Sequence, residues 1–330
     1  SVISYATLEE TYQQYMRLAT LEKAHDIIAN HLQELSIFPH YALEMDIVYG
    51  SADGQKYEAK TPTAKARYSR KYYKKGRGIV AYTLLAHHLP LKSRIIGPHE
   101  HESYFLFDIW YNNTSLIQPT VITGDMHSVN KANFALFYWF EVDFRPRFTN
   151  LKRELKNVMG GEEESHYKDF LIKPAGTINQ QVILDEKENI DRIIASLALK
   201  ETSQSLLIQR LCSLSPRHKT RKAVFEFNKL VSSIYTLKCL LNPKILAIVH
   251  HSQNRIESYH SLRSAVAKVG GKKALIGRTD LEVEISNLCG RLIAGAIIYY
   301  NASLHSHILD KDRDNKKLLQ FVLLRFPFQV

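Results

Sequence analysis

The chain has 330 residues, of which 45% are hydrophobic, so it is long and apolar enough to bury a large core in one or two domains. This excludes a disordered polypeptide and a small disulfide-stabilised protein. The 44 Lys and Arg residues outnumber the 33 Asp and Glu residues, giving a net charge of 44 − 33 = +11. A charge of this sign attracts polyanions, so nucleic acid or a membrane surface is the expected partner.

The cellular compartment is indicated by two features: the three cysteines are widely spaced, and long apolar runs are lacking. Cys212, Cys239 and Cys289 lack the close Cys or His neighbours of a zinc site, so we expect reduced, buried thiols. No apolar run reaches the roughly 18 residues of a membrane span. We therefore expect a cytoplasmic protein without a membrane segment. The apolar end at 322–330 and the start at Ser1 predict a fragment of a longer protein.

The first predicted elements are helical and then change to strands. Apolar residues at helical spacing predict one or two helices over 5–36, so residues 1–40 form a helical lead-in. Residues 41–150 then carry predicted strands at 47–49, 79–85, 91–96, 120–123 and 142–148, with predicted helices at 102–111 and 131–140. The order β-β-β-α-β-α-β predicts a mixed sheet with helices on its faces, as in the ribonuclease-H-like fold.

The remainder of the chain is predicted to be helical. Apolar residues recur every 3.6 positions over 151–252, which predicts an all-helical insertion. Residues 253–330 are predicted to complete the core with helices near 257–269 and 281–300, separated by Gly270-Gly271. The expected fold class is α/β, a ribonuclease-H-like core in which the insertion lies between the last strand and the helix carrying a third acid.

Acidic residues occur where ribonuclease-H-like enzymes carry theirs: on the first strand, at the end of the fourth and on a later helix. Asp53 lies beside the first predicted strand, and Asp125 ends the fourth. The spacing of these two residues alone is weak support for a catalytic pair. Asp46, Asp108 and Asp143 lie in the same region, and composition does not distinguish any of these acids from a solvated surface residue.

Four motifs with distinctive residues follow one another along the chain. They are Ala52-Asp53-Gly54-Gln55, the basic run at 71–78, Thr123-Gly124-Asp125-Met126-His127 and Phe144-Arg145-Pro146-Arg147. In this order they resemble the catalytic region of the Tn3 family of class II, replicative transposases. Asn254-Arg255-Ile256-Glu257-Ser258 resembles the third acidic motif of the family, and 222–227 with 237–243 resemble its helical insertion. The resemblance covers roughly residues 40–305. Ile256 replaces a usual Gly, so we expect the start of the Glu257 helix to be altered.

The resemblance implies a DDE transposase that nicks 3′ ends and transfers the strand to target DNA. It assigns catalysis and metal binding to Asp53, Asp125 and Glu257, with two Mg²⁺ ions and Mn²⁺ as a substitute. Carboxylates suit such ions, which neutralise charge on the attacking and leaving oxygens of a phosphoryl displacement. The implied partner is double-stranded DNA, both transposon ends and target, bound by a dimer in a paired-end complex. Four further candidates are His127, Arg145, Arg147 and Asn254.

A basic stretch at 59–78 contains eight Lys or Arg residues and no acid before Gly78. Lys71, Lys74, Lys75 and Arg77 are suited to phosphate contacts, and Tyr72 and Tyr73 to stacking on unpaired bases. We predict that this stretch, between the first two strands, binds DNA. The alternative is a solvated basic loop without a partner.

Histidine is abundant, with 15 residues, but its pattern argues against zinc. Neighbours such as His87-His88 would point to opposite faces of a strand, and no tetrahedral set is complete. His260 and Arg263, which follow Glu257, are predicted to lie on the surface. Two functional alternatives also stay open: a non-catalytic DNA-binding remnant and a ribonuclease-H-like nuclease that only hydrolyses.

Overall fold

The computed structural model describes residues 3–73, 76–269 and 271–311 together with Pro327, with backbone only at positions 71 and 72. The chain divides into two compact units, which are described separately. Unit 1 contains residues 1–100, 112–118 and 254–330, and unit 2 contains residues 101–111 and 119–253. These units cut across the predicted segments 41–150 and 151–252.

Two helices begin unit 1, as the periodicity predicts. They are α1 (Tyr5–Tyr15) and α2 (Leu18–Gln33). The Ser4 hydroxyl accepts a hydrogen bond from the Thr7 amide and caps α1. The buried residues of α2, including Leu21 and Leu32, follow one another at intervals of three or four positions. That spacing places them on one helix face, which packs into the core of the unit.

An antiparallel sheet follows in unit 1. Its elements are β1 (Tyr49–Ala59), β2 (Arg67–Tyr68), the short helix α3 (Arg70–Tyr73), β3 (Arg77–Ala86) and β4 (Leu89–Ile96). Strand β3 pairs antiparallel with β1, β2 and β4. The predicted first strand at 47–49 is wrong in extent, because the polar and glycine residues at 51–55 hide a strand that continues to Ala59. Asp53 therefore lies inside β1, opposite Thr83.

The two-residue turn between β3 and β4 consists of His87 and His88, not of a continuing strand as the zinc argument assumed. Both have positive φ, 45° and 70°, as hairpin turns of the type I′ class require. Both are also buried: His87 stacks edge-on against Phe38, and His88 against Tyr41. The pair is thus part of the packing of unit 1.

Unit 2 begins with alternating helices and strands: α4 (Leu106–Tyr111), β5 (Val121–Gly124), α5 (Asn133–Trp139), β6 (Asp143–Phe144) and α6 (Leu151–Leu155). Strands β5 and β6 are parallel, with Val121 opposite Asp143. The final strand predicted at 142–148 is too long, because Pro146 has no amide hydrogen to donate. The amides of Arg145 and Arg147 nevertheless bond to Ile122 and Gly124.

The rest of unit 2 contains α7 (Gln180–Asp185), α8 (Lys187–Ala198), α9 (Gln204–Ser213), α10 (Lys219–Leu241) and the first part of α11 (Lys244–Lys268). The all-helical prediction is wrong at 156–179. That segment, all of it described, has a 3₁₀ turn at Glu164–Tyr167 and a parallel bridge between Gly160 and Thr177, but no α-helix. Glycines at 160, 161 and 176 and Pro174 disfavour helix there.

The chain returns to unit 1 within α11, after Gln253, and continues through β7 (Ala274–Leu275) and α12 (Asp280–Lys311). Strand β7 pairs in parallel with the end of β1, so the sheet of this unit is mixed. Helix α11 begins at Lys244, well before the predicted start. Ile256 is therefore buried inside a helix and belongs to the core, so its expected effect on a helix start is wrong.

The main core of unit 1 joins α2, the ends of β3 and β4, α11 and α12. Its fully buried members are Ala29, Leu32, Ile37, Leu89, Leu91, Ile256, Ala294, Ile298 and Ala302. The fold class is accordingly mixed α/β. No helix among the described residues is long and apolar enough to cross a membrane. All three cysteines are free. Cys239 is buried as expected, whereas Cys289 is only partly buried and Cys212 on α9 is exposed, contrary to expectation.

Candidate metal site and its surroundings

The strand period of β1 directs Asp53, Gln55 and Tyr57 to the same face of the sheet. Helix α11 packs on this face. The Gln55 side-chain amide donates to the backbone oxygen of His260 at 2.5 Å and to the Ser264 hydroxyl at 2.9 Å. The Tyr57 hydroxyl in turn donates to the Gln55 side-chain oxygen. Gln55 thus fixes the register of the helix beside Asp53.

Asp53, Glu257 and His260 form one cluster of possible metal ligands. One ligand atom from each lies within 4.8 Å of the others. His260 Nδ1 is 3.6 Å from Asp53 Oδ2, and Asp53 Oδ1 accepts a hydrogen bond from the Gly54 amide at 2.8 Å. Asp53 is partly buried, whereas Glu257 is exposed. The cluster consequently has a rigid side on the strand and an open side toward solvent.

His260 is the member of the cluster that sequence reasoning missed. It is buried, not on the surface as predicted, because it faces β1 one helical turn after Glu257. Burial lowers its pKa to about 3, with smaller contributions from the positive charges of Lys273 and Arg263. The imidazole is therefore neutral at physiological pH and keeps a lone pair for a ligand. The Glu-x-x-His spacing in the sequence could have identified His260 as a partner of Glu257, since this spacing puts both side chains on one helix face.

Arg263 is also buried, so its predicted surface position is wrong. Its Nη2 donates to both the backbone oxygen and the side-chain oxygen of Asn287, each at 3.2 Å. The Asn287 amide donates to Ser93 Oγ at 3.1 Å and Glu284 Oε1 at 3.1 Å. These bonds connect α11 to α12 and to β4. Arg263 accordingly supports the helix that carries Glu257.

Asp125 lies in unit 2, directly after β5, as the sequence predicts. It caps the 3₁₀ turn Met126–Ser128, and its Oδ1 accepts a hydrogen bond from the His127 amide at 2.9 Å. The Thr123 hydroxyl bonds to Ser252 Oγ at 3.3 Å, which ties the end of β5 to the first part of α11. Asp125 is partly exposed.

Two arginine candidates lie beside the Asp125 strand within unit 2. The Arg147 amide donates to the Gly124 oxygen at 2.8 Å, immediately before Asp125. The Arg145 side chain donates to Asp143 Oδ2 at 2.9 Å. The third and fourth resembling motifs are therefore neighbours in this unit. His127 and, in unit 1, Asn254 are exposed.

The basic stretch is only partly described. Lys74, Lys75 and the side chains of Lys71 and Tyr72 lie outside the described residues, whereas Arg77 is exposed. Tyr73 is buried: its hydroxyl donates to the Ile79 oxygen at 3.0 Å, and its ring packs where a side chain on Gly78 would be. Stacking of Tyr73 on a base is thus excluded in this conformation. Among the aromatic side chains of this stretch that the structure describes, Tyr68 is the accessible one, 59% exposed and flanked by exposed Arg67.

The donor set of the cluster defines a class of site. Two carboxylates and an uncharged imidazole, with an open side, have the composition of a divalent-cation site in a mixed α/β protein. The chain belongs to the family described as Tn3 transposase DDE domain, whose family model matches residues 1–325. A DDE domain implies the use of a divalent metal, which agrees with the cluster.

Curated relatives support this membership at low identity. The transposase for transposon Tn501 of Pseudomonas aeruginosa is 22% identical over 80% of this chain and 26% of the relative. The transposase for transposon Tn1546 of Enterococcus faecium is 21% identical over 92% of this chain and 31% of the relative. The transposase for transposon gamma-delta of Escherichia coli (strain K12) is 21% identical over 92% of this chain and 30% of the relative. The chain thus spans between a quarter and a third of these relatives. No solved structure matches it.

Proposed function

We propose that this chain is the catalytic part of a DNA transposase that nicks the 3′ ends of a mobile element and joins them to target DNA. The observation that carries the proposal is the cluster of Asp53, Glu257 and His260 in a chain of net charge +11. Family membership supplies the reaction class, and the relatives named above are transposases. The acids supply the means of binding the cation that such a reaction requires.

In this proposal Asp53 and Glu257 hold divalent metal with their carboxylates. A metal bound there supplies charge neutralisation for the attacking and leaving oxygens at phosphorus. Mg²⁺ is the expected ion, with two ions per site and Mn²⁺ as a substitute. The exposed side of Glu257 leaves room for a phosphate group, while Gly54 and Gln55 hold the strand and helix in place.

Asp125 is proposed to complete the catalytic set with Asp53 and Glu257. The support is its position after β5 within the motif Thr123–His127, and the hydrogen bond by which the His127 amide fixes one carboxylate oxygen. Arg145 and Arg147 are proposed to contact DNA phosphate near it, since their motif runs beside the same strand end. Asn254 and His127, both exposed, are proposed as additional polar contacts.

Double-stranded DNA is the proposed partner, as transposon ends and as target, in a paired-end dimer. Exposed Arg67, Arg70 and Arg77 support binding of phosphates by the basic stretch, together with Lys71, Lys74 and Lys75. Tyr68 replaces Tyr73 as the candidate for stacking, because its ring is accessible.

Nicking of supercoiled plasmid DNA in Mg²⁺ or Mn²⁺ tests the proposal. Wild-type protein should convert supercoiled to open-circular plasmid, and Asp53→Asn or Glu257→Gln should eliminate this, since each removes a charged ligand without changing shape. Glu226→Gln is the matched control, because Glu226 pairs with Lys229 at 2.6 Å in unit 2. Full activity of Glu257→Gln would contradict the assignment.

A second assay separates the competing functions. A labelled oligonucleotide with a free 3′-hydroxyl should become joined to plasmid DNA, with dependence on the same acids. Nicking without joining would favour a purely hydrolytic ribonuclease-H-like nuclease. DNA binding with neither reaction would favour a non-catalytic DNA-binding remnant.

A further inference from the structure

A cavity of 490 Å³ lies in unit 2, close to the turn that Asp125 caps. Residues 129–132, which directly follow this turn, form one side, and His101 and Tyr104 form another. The rings of His101 and His127 are 6.4 Å apart, and the His127 amide donates to Asp125. The cavity therefore opens beside one of the proposed catalytic acids. Its volume is in the range of sites for small organic ligands.

The Phe225 ring and the two cations beside it characterise this cavity. Lys131 Nζ lies over the Phe225 ring at 5.8 Å from its centre, and the Arg221 guanidinium lies over the same ring at 5.4 Å. Arg221 is held in place because its Nη1 donates to the Leu214 oxygen at 2.6 Å. None of the described residues lining the cavity is acidic. The site thus combines an apolar surface for a flat ring with positive charge for an anion.

Polar groups border the aromatic surface. Asn228 is buried, and its side-chain oxygen accepts the amides of Phe134, at 3.0 Å, and Ala135, at 3.4 Å. The Asn228 side chain is thereby fixed in orientation. His101 Nδ1 is 2.7 Å from Ser103 Oγ, and the His101 ring lies 5.6 Å from that of Tyr104. Fixed polar groups around an aromatic surface are suited to the hydrogen-bonding edge of a base.

We infer that this cavity takes one unpaired nucleotide of the DNA, with its base against Phe225 and its phosphate near Lys131 and Arg221. This inference rests on the proposed function, because it takes DNA as the substrate. Bases stack on aromatic side chains regardless of sequence, and lysine and arginine neutralise phosphate. Charge also distinguishes this cavity from a second one of 590 Å³ in the same unit, lined by apolar residues such as Phe170, Leu237 and Leu240 and by no lysine or arginine.

Binding of short labelled duplexes by the complete chain, in EDTA, tests the inference. One duplex carries a nucleotide opposite an abasic site, and the reference duplex is fully paired. The wild type should bind the first about 5- to 150-fold more tightly by fluorescence anisotropy, the range for stacking of one base. Phe225→Leu should lose this preference and keep its affinity for paired duplex.

Phe227→Leu is the matched control, because Phe227 lies on the same helix but stacks on Trp139, with ring centres 5.4 Å apart. It should retain the preference. Equal affinity of the wild type for both duplexes, or equal effects of Phe225→Leu and Phe227→Leu, would overturn the inference. Competition by free deoxyadenosine monophosphate as strong as that by the unpaired duplex would also overturn it, in favour of a free-nucleotide site.

Cys212 provides a second measurement that requires no variant. It is exposed and lines the cavity, whereas Cys239 is buried. The duplex with the unpaired nucleotide should slow alkylation of Cys212 by a maleimide, read by peptide mass spectrometry, and the paired duplex should not. Equal protection by both would contradict the inference. Since these assays need no metal, failure of plasmid nicking counts against the proposed function alone.

Discussion

Asp53 lies within a strand, where its neighbours on the same face are polar or aromatic rather than aliphatic. The Tyr57 hydroxyl donates to Gln55, and the Gln55 amide donates to α11, so Gln55 holds the helix while Asp53 stays partly accessible. A carboxylate on a paired strand has little freedom, because the backbone opposite Thr83 is fixed. The other acid of the cluster, Glu257, is exposed on a helix and is the more adaptable ligand.

Metal should stabilise the protein through these acids. An ion that binds only the folded cluster raises the free energy of unfolding by about 2.7 kcal/mol at 100 times its Kd. Thermal melts in Mn²⁺ should show this increase for the wild type and for Glu226→Gln, and lose it for Asp53→Asn. An identical response of Asp53→Asn and wild type would exclude the site.

Asp125→Asn is expected to be as inactive in plasmid nicking as Asp53→Asn. If the acids act as a unit, the double variant should be scarcely slower than either single variant. Measured nicking rates that multiply in the double variant would show instead that the two residues act independently.

His260 should influence which metal is preferred. An imidazole nitrogen suits transition-metal ions better than Mg²⁺, which favours oxygen ligands. His260→Gln is therefore expected to weaken Mn²⁺ binding about tenfold or more, with a smaller effect on Mg²⁺, as measured by metal-dependent melting. His31→Gln, an exposed histidine of α2, serves as control. Equal losses for both ions would point to a packing role.

At the level of elements, the sequence predicted the helices of the lead-in, strands β3 and β4 and the β5–Asp125 junction. These have strong apolar periods or sharp boundaries. It failed at β1, where a mostly polar face is covered by a distant helix. It also placed His260 and Arg263 on the surface, since a single sequence does not show that α11 packs its polar face on a strand. The sequence motifs identified Asp53 and Glu257 as candidate metal ligands. That His260 lies beside them follows only from the packing of α11 on β1.

The sequence did not predict the turn of His87 and His88, because this turn contains neither Gly nor Asn. The same two residues make the free energy of unfolding depend on pH. Burial lowers the pKa of His87 from 6.5 to about 4, an effect that the Arg255 charge increases and a hydrogen bond with the Tyr41 backbone opposes. Burial also lowers the pKa of His88, where Arg255, His87 and His305 contribute. Both rings are therefore neutral when folded.

Unfolding should consequently become easier as pH falls from about 6.5 to about 4. In that range the unfolded chain binds a proton at His87 and the folded chain does not, so the contribution of His87 to stability is greatest above pH 6.5. The loss from His87 is at most about 3 kcal/mol. Urea titrations of His87→Asn, which tolerates positive φ, should show a smaller loss than the wild type. An unchanged pH dependence would contradict this account.

At the scale of the whole molecule, the excess of positive charge is a property of both units, but the basic stretch concentrates it next to β1. Replacing Lys71, Lys74, Lys75 and Arg77 by Ala lowers the net charge from +11 to +7, since 11 − 4 = 7. If all four contact phosphate, the slope of log Kd against log salt should fall by about 4 × 0.9 = 3.6. Base preference should stay the same.

A variant with the same net charge controls for general electrostatics. It carries four alanines at exposed lysines of unit 2: Lys152, Lys168, Lys173 and Lys187. This variant should keep most of the salt dependence measured in fluorescence anisotropy. Equal slopes for the two variants would mean that the basic stretch is only a solvated loop.

The bond between Gln55 and His260 joins residues that are 205 positions apart in sequence. Ribosomes add about 5 to 20 residues per second, so β1 leaves the ribosome about 10 to 40 s before α11 is made. During this interval the strand lacks the helix that covers its Asp53 face, and all of unit 2 up to Gln253 is synthesised first. The candidate metal cluster is therefore completed only after unit 2 has been synthesised, and the nascent chain carries Asp53 without Glu257 and His260 until then.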